Sequence, residues 1–353
     1  MIQTDDIIDP GAQIVITGAN GFIGSRVVDT LLRCGFRRIR CLVRASSDLT
    51  CLNSIMHEYP DRDVEIVKGN LLSKSDCEKL VKEAKLIYHL AAGTSGNSFS
   101  NSFLNSVVTT CNLISSAGKS GHCRRFVCIS SFTVYSNWTL KKQHILDESC
   151  EIEIDPKARG EAYCFGKVRQ ELITFELCNK YNIPFTFVRP GVVYGPGKVG
   201  IHTRIGIDTF GLFLHLGGNN KIPFTYVDNC AEAIVLAGLK TVAEGEAFNV
   251  VDDDLPTSRQ FLKLYKKNVK WFYSLNVPYF ITYLFCCLWE KYVEWSKDQL
   301  PLTFNRKKCV NYWRGNIYSN RKLVDVLGWS PMINFNDGFR RYCEYQKRAG
   351  VGK

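Results

Sequence analysis

Three glycines spaced three residues apart, near the start of the chain, constrain the fold more than any other feature. Gln13 to Thr17 read as a short apolar strand, and Gly-Ala-Asn-Gly-Phe-Ile-Gly follows at once, before a helical pattern that stops at Gly35. A strand that turns through glycines into a helix is typical of a dinucleotide-binding loop, because the backbone and the free N–H groups of the helix can approach a pyrophosphate. The predicted cofactor contacts here are Gly18, Asn20, Gly21, Phe22, Ile23 and Gly24.

Further apolar runs predict a sheet of parallel strands. They lie at Ile39–Val43, Val64–Val67, Leu86–Leu90, Phe126–Ile129 and Phe185–Val188, with helical stretches between most of them. This alternation predicts an α/β fold with a doubly wound parallel sheet of the Rossmann type. Beyond residue 190 the alternation fades into turns rich in glycine and proline. We therefore expect a dinucleotide-binding domain over residues 1–190 and a smaller C-terminal substrate lobe over residues 191–353.

Charge and cysteine content narrow the class of protein. The 353 residues carry a net charge of +11, spread without a block of five like charges, which argues against a nucleic-acid partner and suits an anionic ligand or a membrane surface. The 15 cysteines include no Cys-x-x-Cys pair, so we expect neither a metal site nor a disulfide framework. With no apolar signal core in the first ten residues, we expect a cytoplasmic protein, free or in peripheral contact with a membrane.

The end of the second predicted strand bears on the choice of cofactor. Arg44 stands there with Ser46 and Ser47 beside it, and no acidic residue is present. A basic side chain at this place accommodates a 2′-phosphate, whereas an acidic one binds the ribose hydroxyls. NADP(H) is therefore favoured, and NAD(H) remains the alternative if Arg44 only stacks on the adenine or caps the sheet.

A tyrosine four residues before a lysine is the candidate proton donor or acceptor. Tyr163 and Lys167 share one face of a predicted helix, so the ammonium could stabilise a phenolate whose ordinary pKa is about 10. Ser131, directly after the fifth strand, is the candidate for orienting a substrate carbonyl. A Tyr-x-x-x-Lys pair alone is more often an exposed helix pair. The glycine loop and Ser131 upstream favour catalysis.

With these motifs the chain resembles the extended short-chain dehydrogenase/reductases, the superfamily of NAD-dependent epimerases/dehydratases and 3β-hydroxysteroid dehydrogenases, over nearly its whole length. Gly69-Asn70-Leu71 is similar to the family's adenine contact, and Leu90-Ala91-Ala92-Gly93 to its segment beside the nicotinamide ribose. The runs from Arg189 to Gly197 and from Tyr226 to Asn229 match later landmarks. The resemblance implies that the substrate is a small molecule. It also implies that the protein forms a homodimer through its helices. The cofactor contacts that it implies are Asn70, Leu71, Leu90, Ala91, Ala92, Tyr163, Lys167, Pro190 and Val193.

The sequence departs from the family pattern at two places. Asn70 stands where the family usually has aspartate, but its side-chain oxygen can still accept a hydrogen bond from the adenine amino group. The helix that begins at Ser106 often begins with asparagine in the family. A structural or proton-relay role of that asparagine is therefore in doubt in this chain.

The resemblance implies one chemical step with several outcomes. A hydride passes between a substrate carbon and the nicotinamide, while Tyr163 moves the proton on oxygen, Ser131 steadies the oxyanion and Lys167 tunes Tyr163. In dehydrogenases this step is the net reaction, whereas in epimerases and dehydratases it is transient and the cofactor is regenerated. A non-catalytic dinucleotide sensor is disfavoured because both Tyr163 and Lys167 are present.

The most informative stretch outside the motifs is Trp271–Trp289, 19 residues without a charged side chain and with eight aromatic residues. Its length is borderline for a membrane span, which needs about 20 apolar residues, and Asn276 and Pro278 argue against a simple span. Three possibilities stay open: a buried helix or substrate lid, an interfacial membrane segment, and a true span. The basic flank comprises Lys263, Lys266, Lys267 and Lys270.

This segment also bears on the substrate. Similar apolar segments occur in the 3β-hydroxysteroid dehydrogenase branch, whereas nucleotide sugars need basic contacts for a diphosphate. Arg204, Lys221 and Arg259 could supply such contacts, unless they are ordinary surface charges. We therefore expect an NAD(P)-dependent oxidoreductase that acts on a hydroxyl or keto group of a steroid- or lipid-like substrate. The alternative is a nucleotide-sugar epimerase or dehydratase that uses a tightly bound cofactor.

Overall fold

The computed structural model describes residues 6–93, 98–209, 211–297, 299–300 and 302–350. The N-terminal stretch that was considered for a signal core is thus described only from residue 6. The strands are β1 (Gln13–Thr17), β2 (Arg38–Val43), β3 (Asp63–Lys68), β4 (Leu86–His89), β5 (Arg125–Ile129), β6 (Ile145–Leu146), β7 (Phe185–Pro190), β8 (Val192–Tyr194), β9 (Gly206–Thr209), β10 (Leu212–His215), β11 (Phe224–Tyr226), β12 (Ala247–Val250), β13 (Ser274–Asn276) and β14 (Ile317–Tyr318).

Helices connect most of these strands. They are α1 (Gly24–Arg33), α2 (Thr50–Glu58), α3 (Lys74–Leu80), α4 (Phe99–Ser102), α5 (Thr109–Ser120), α6 (Ala162–Tyr181), α7 (Val227–Leu239), α8 (Ser258–Asn268), α9 (Tyr279–Trp295), α10 (Arg306–Trp313), α11 (Arg321–Leu327) and α12 (Phe335–Arg348). A π-helical turn, Phe103–Val108, joins α4 to α5, and short 3-10 turns lie at Phe132–Val134 and Thr241–Ala243.

Seven parallel strands form the central sheet, in the spatial order β12-β7-β5-β4-β1-β2-β3. Every residue of β1, β4, β5 and β7 is buried, which explains why these strands are nearly continuous apolar runs in the sequence. The predicted doubly wound parallel fold is confirmed. The strand order reverses between β1 and β4, and a sheet of this kind binds its ligand at the carboxyl ends of the strands beside that point.

Two apolar layers hold the helices on the sheet. On one face α1 and α7 pack together and bury Val27, Leu31 and Ile234 completely. On the other face α5 packs on α6, and Leu113 and Cys178 are fully buried. Because both faces are covered, the sheet is rigid and its strand ends are held in a fixed arrangement.

A second lobe is built mainly from the later elements. It contains the small sheet β13-β10-β9 and an aromatic core in which Tyr194 contacts Phe224, Tyr226 and Tyr342. The central sheet nevertheless takes its last strand, β12, from beyond residue 190, the expected domain boundary, and β12 pairs with β7 in parallel. A parallel neighbour can only follow a crossover connection, so the chain leaves the sheet and returns to it.

The uncharged stretch Trp271–Trp289 forms β13 and most of α9. Among the helices of the described ranges, none is both long and apolar enough to cross a membrane. The helix is not buried either, since only Thr282, Cys286 and Val293 are buried in it. Of the three possibilities that the sequence left open, a span is therefore wrong, and a fully buried helix does not describe α9.

A buried ion pair fixes α6 against the sheet. Arg189 in β7 donates two hydrogen bonds to the carboxylate of Glu171 in α6, at 2.9 and 2.7 Å. The same guanidinium donates to the hydroxyl of Tyr135 at 3.0 Å, and that hydroxyl donates to Asn249 in β12 at 2.7 Å. Charge, geometry and hydrogen bonding are thus satisfied at a site where an unpaired charge would be costly.

We expect Glu171→Ala to lower the free energy of unfolding by about 3–5 kcal/mol, because Arg189 would remain buried without its counter-charge. Urea denaturation followed by circular dichroism measures the change. Glu176→Ala is the matched control, since Glu176 lies in the same helix and is exposed, and we expect a change within about 0.5 kcal/mol. Equal effects of the two substitutions would contradict the anchoring role of the pair.

Candidate active site

A cavity of about 910 Å³ opens at the carboxyl ends of the central strands. Its wall contains every residue that the sequence predicted for catalysis or cofactor binding, from the glycine loop to Val193. The fold brings these residues together because most of them lie at or just after the carboxyl ends of parallel strands, while α6 places Tyr163 and Lys167 beside those ends. Their roles in cofactor binding and catalysis stay predictions.

The glycine loop is tightly closed on itself. The Gly21 N–H donates to the Gly18 carbonyl at 3.0 Å, and α1 starts at Gly24 without a side-chain cap. A Cβ atom at Gly24 would lie 2.1 Å from the Gly18 oxygen, and Gly18 itself has a φ of +70°. Side chains at these places would therefore open the turn, and the uncapped N–H groups of α1 are left to bind an anion.

The end of the cavity beside β2 carries the residues that bear on cofactor choice. Arg44, Ser46, Ser47 and Asp48 all line the wall there. The Arg44 backbone N–H donates to the Ser47 hydroxyl at 3.1 Å, and its guanidinium makes one long contact, 3.4 Å, to the side-chain oxygen of Asn105. The guanidinium is exposed and has donors left over for a ligand.

Asn70 is held in a defined orientation at the same end. Its backbone N–H donates to Asp76 at 2.9 Å, and its side-chain oxygen accepts from the Leu72 N–H at 3.0 Å. An amide oxygen has two lone pairs. One remains for an adenine amino group, so the geometry is compatible with the role that the resemblance implies.

Ser131 and Tyr163 meet at the floor of the cavity. Ser131 starts the 3-10 turn after β5, and its hydroxyl accepts from the Thr133 N–H at 3.2 Å. Tyr163 keeps 36% of its surface exposed. Burial raises the pKa of the Tyr163 hydroxyl, and its hydrogen bond with Ser131 acts in the opposite direction. The pair presents two adjacent hydroxyls to a ligand in the cavity, as proton transfer to or from a carbonyl oxygen requires.

Lys167 is buried beside Tyr163 and uses two of its three donors within the protein. Its ammonium donates to the Ile129 carbonyl at 2.6 Å and to Gln170 at 2.9 Å, and it lies 6.0 Å from the centre of the Tyr163 ring. Burial lowers the pKa of Lys167 to about 8, so it carries its charge at neutral pH. Among the contacts in this structure, Ser131 and not Lys167 lowers the pKa of Tyr163. Stabilisation of the phenolate by Lys167 stays a prediction.

A polar relay that no sequence motif indicated continues from Lys167 into the core. Gln170 donates to the Thr110 hydroxyl at 3.0 Å, and the His89 ring bridges Thr110 and Thr17, each at 2.8 Å. Burial and the nearby charge of Lys167 lower the pKa of His89 to about 3, so the imidazole is neutral. The relay thus ends one residue before the glycine loop. Its members come from four separate elements, and no local spacing could have revealed it.

Ser106 replaces the family's asparagine within the π-helical turn. Its hydroxyl accepts from the Gly93 N–H at 3.1 Å, and its carbonyl accepts from Thr110 at 2.5 Å. Ser106 therefore supports the segment predicted beside the nicotinamide ribose. The side chain that contacts Lys167 is Gln170, which the comparison of motifs did not single out.

The far end of the cavity is lined by Lys198 and His202. Burial and the charge of Arg204 lower the pKa of His202 to about 3, so this ring is neutral near pH 7. It stacks on Tyr312 of α10, with ring centres 6.4 Å apart. Lys198 and His202 follow β8 in the second lobe, and we call the part of the cavity that they line its substrate end.

Comparison with known proteins now identifies the family. The model of the NAD dependent epimerase/dehydratase family matches residues 14–250. The chain belongs to this family. The motifs predicted this membership, within the extended short-chain dehydrogenase/reductases, and relatives of the chain are named as a dehydrogenase, an epimerase and a dehydratase.

Individual relatives are distant. A 3beta-hydroxysteroid-dehydrogenase/decarboxylase isoform of Arabidopsis thaliana is 23% identical over 93% of this chain and 60% of its own length. A UDP-glucose 4-epimerase of Vibrio cholerae is 24% identical over 94% of both chains. The crystal structure of a UDP-glucuronic acid 4-epimerase from Bacillus cereus, with UDP-glucuronic acid and NAD, has a TM-score of 0.71 at 19% identity and covers 96% of this chain and 99% of its own. The chain spans about half of two further Arabidopsis relatives, 48% and 47%.

The residues present fit the dinucleotide that the family uses. The uncapped start of α1 and the Gly18–Gly24 approach leave room for a pyrophosphate. Arg44 and Asn70 line the cavity just after β2 and β3, and Tyr163 and Lys167 line it from α6. When bound, the nicotinamide supplies or accepts the hydride, and the protein positions the substrate oxygen at the two hydroxyls.

The depressed pKa of Lys167 predicts a pH dependence of stability. Between pH 8 and the ordinary lysine value of 10.5, the unfolded chain binds more protons than the folded one, so folding becomes more favourable as pH rises through this window. We expect the free energy of unfolding of the wild type, relative to Lys167→Met, to increase between about pH 7 and about pH 9.5. Urea unfolding at the two values measures this difference.

Lys180→Met is the matched control, because Lys180 is exposed in the same helix. This variant should keep the dependence on pH of the wild type. If Lys167→Met also kept the pH dependence of the wild type, burial would not lower the pKa of the Lys167 ammonium.

Proposed function

We propose that the chain is an NADP(H)-dependent oxidoreductase that acts on a hydroxyl or keto group of an apolar, steroid- or lipid-like substrate. In reduction, the carbonyl carbon receives the hydride and the carbonyl oxygen receives the proton from Tyr163. The Ser131 hydroxyl donates to that oxygen as negative charge develops. Oxidation of the alcohol is the same sequence in reverse, with Tyr163 as the base.

The distribution of charge in the cavity carries this proposal. Among the described lining residues, the charged ones are Arg44, Asp48, Lys167 and Lys198. The first two lie at the end beside β2, and Lys167 is engaged in the relay. Lys198 is thus the one formal charge at the substrate end, and His202 beside it is neutral. An apolar substrate suits this end better than a diphosphate, which is usually bound by several cations.

None of the three basic residues that were considered for a sugar nucleotide lines the cavity. Arg204 is buried, donates to the Asn311 carbonyl at 2.8 Å and lies 4.9 Å above the Tyr312 ring, so it supports α10. Lys221 and Arg259 do not line the cavity and are exposed. The reading of all three as structural or surface charges therefore supports the proposal.

The alternative is a nucleotide-sugar epimerase or dehydratase that regenerates its cofactor. Lys198 favours it, because this ammonium stands at the substrate end of the cavity and could bind one phosphate. Relatives named for UDP-sugar chemistry align over nearly the whole chain. The two functions use the same Tyr163 and Ser131 and differ only in whether the cofactor leaves changed.

Net turnover of the cofactor separates the two functions. We expect oxidation of NADPH with a hydrophobic ketone, or reduction of NADP⁺ with a 3β-hydroxysteroid, in proportion to product. Tyr163→Phe should lower kcat by about 10²–10⁴-fold, because the proton donor is lost, and should retain cofactor affinity. Tyr181→Phe, at the far end of α6, is the matched control.

Conversion of UDP-glucose without net change of cofactor would overturn the oxidoreductase in favour of the epimerase. Activity that survives Tyr163→Phe unchanged would remove the catalytic role of this residue in either function. Absorbance of NADPH and analysis of the products distinguish these results.

For the cofactor, Arg44 supports NADP(H), since its exposed guanidinium and the hydroxyls of Ser46 and Ser47 form a site for a phosphate. Arg44→Ala should weaken NADPH about 10- to 100-fold, the effect of one charge-assisted contact, and leave NADH nearly unchanged. Arg38→Ala, at the exposed start of β2, is the control. Fluorescence titration measures both affinities, and a wild type that prefers NADH would contradict the assignment.

A further inference from the structure

The outer side of α9 is the largest feature that the site does not use. Thr282, Cys286 and Val293 face inward and are buried. Seven apolar or aromatic side chains remain 45–77% exposed on the opposite side, and we name them the outer face of α9. They are Phe280, Ile281, Leu284, Phe285, Leu288, Tyr292 and Trp295.

These residues form one continuous stripe. With 3.6 residues per turn, all seven positions fall within an arc of roughly 140° around the helix axis, and the three buried positions lie outside that arc. The exposed Lys291 also falls within the arc. Single exposed apolar residues are ordinary on any protein. A contiguous apolar face of this length instead marks a surface that is covered by something else.

The stretch before α9 extends the apolar surface. Trp271, Tyr273 and Leu275 alternate along the chain and are 55–71% exposed, whereas Phe272 turns inward against Phe213, with ring centres 5.2 Å apart. Alternation with a period of two places the three exposed residues on one side of the extended segment. The segment runs into α9 through Val277 and Pro278 only.

Positive charge exceeds negative charge beside this surface, where residues 255–295 contain six basic residues and two acidic ones, Glu290 and Glu294. Residues 255–289 contain one arginine and four lysines and no aspartate or glutamate. Lys263, Lys267 and Lys270 are exposed, and Lys266 lies 5.0 Å above the ring of Phe272. The nearest acidic residue of α9, Glu290, is paired with Arg306.

We propose that the outer face of α9, together with Trp271, Tyr273 and Leu275, docks on the surface of a bilayer that contains anionic lipid. An apolar helical stripe lies in the interface with its apolar side among the acyl chains. Tryptophan and tyrosine favour the level of the headgroups. The lysines attract anionic headgroups across the Debye length.

Charge favours a bilayer over a second copy of the chain. Two copies in contact across this face would bring together two sets of basic residues, because residues 255–295 of each copy contain six basic residues against two acidic ones, Glu290 and Glu294. The headgroups of an anionic bilayer supply negative charge to the lysines wherever this face contacts the bilayer.

Docking would bring the catalytic cavity near the lipid. The inner side of α9 packs on α10 through Cys286 and Cys309, which share one apolar cluster. Tyr312 of α10 stacks on His202, and His202 lines the cavity. Two helices, α9 and α10, therefore separate the proposed membrane surface from the substrate end. The docking itself does not require the proposed function, but it would give an apolar substrate a direct route.

Co-sedimentation with sucrose-loaded vesicles tests the proposal. The full chain is mixed with vesicles of phosphatidylcholine alone or with about 30% phosphatidylserine, and the bound fraction gives a partition coefficient. We expect binding to the anionic vesicles that weakens strongly as salt is raised. The variant Lys263→Gln/Lys267→Gln/Lys270→Gln should lower that coefficient on the order of 100-fold.

The apolar contribution is tested by Leu284→Ser/Leu288→Ser, which should lower binding at least tenfold by removing two side chains from the stripe. Matched controls remove equally exposed groups from other places. Ile154→Ser/Val242→Ser serves for the apolar pair and Lys141→Gln/Lys142→Gln/Lys180→Gln for the lysines, and both should bind like the wild type. Thermal unfolding and NADPH affinity verify that each variant is folded.

Three results would overturn the proposal. One is a wild type that binds neither kind of vesicle. Another is binding that the Leu284→Ser/Leu288→Ser variant retains in full. The third is a change from dimer to monomer in this variant, by light scattering, without loss of vesicle binding, because the face would then contact a second copy. Turnover of a water-soluble ketone, measured without vesicles, reports on the proposed function separately.

Discussion

The hydrogen bond from the Lys167 ammonium to the Ile129 carbonyl is the contact on which the site depends. It joins α6 to the last residue of β5, two residues before Ser131. Because Tyr163 lies one helical turn before Lys167, fixing the lysine also fixes where the tyrosine meets Ser131. The Arg189–Glu171 pair holds the next turn of the same helix on β7. Two buried charged groups, Lys167 and Arg189, each held by two or more hydrogen bonds, thus determine the relative position of the two hydroxyls.

The polar relay extends this constraint to the other half of the cavity. It runs from Lys167 through Gln170, Thr110 and His89 to Thr17, the last residue of β1. A chain of satisfied hydrogen bonds in a dry interior is rigid, since breaking one link leaves polar atoms unpaired. The glycine loop starts directly after Thr17, so the part of the protein that suits a pyrophosphate and the part that suits proton transfer share one framework.

The second lobe is organised differently. Its aromatic core holds β8 and β11 against the sheet, while α9 covers α10 with one side only and leaves the other to solvent. Arg204 illustrates the same distinction between core and surface. Its guanidinium does not bind a ligand but contacts Asn311 and Tyr312, and so supports α10. The lobe therefore presents few charges to the cavity and a broad apolar surface outside.

The sequence by itself determined the parallel sheet, the glycine loop and the pairing of Tyr163 with Lys167, because each depends on spacing within a single strand, turn or helix. Placement in one cavity also followed, since parallel strands end at one edge of the sheet. Only the tertiary structure decided that Gln170 contacts Lys167, that β12 returns to the sheet from beyond residue 190, and which side of α9 is buried. Those outcomes depend on residues that are distant in the chain. The sequence of an uncharged run such as residues 271–289 does not reveal which of its side chains are buried and which are exposed to solvent.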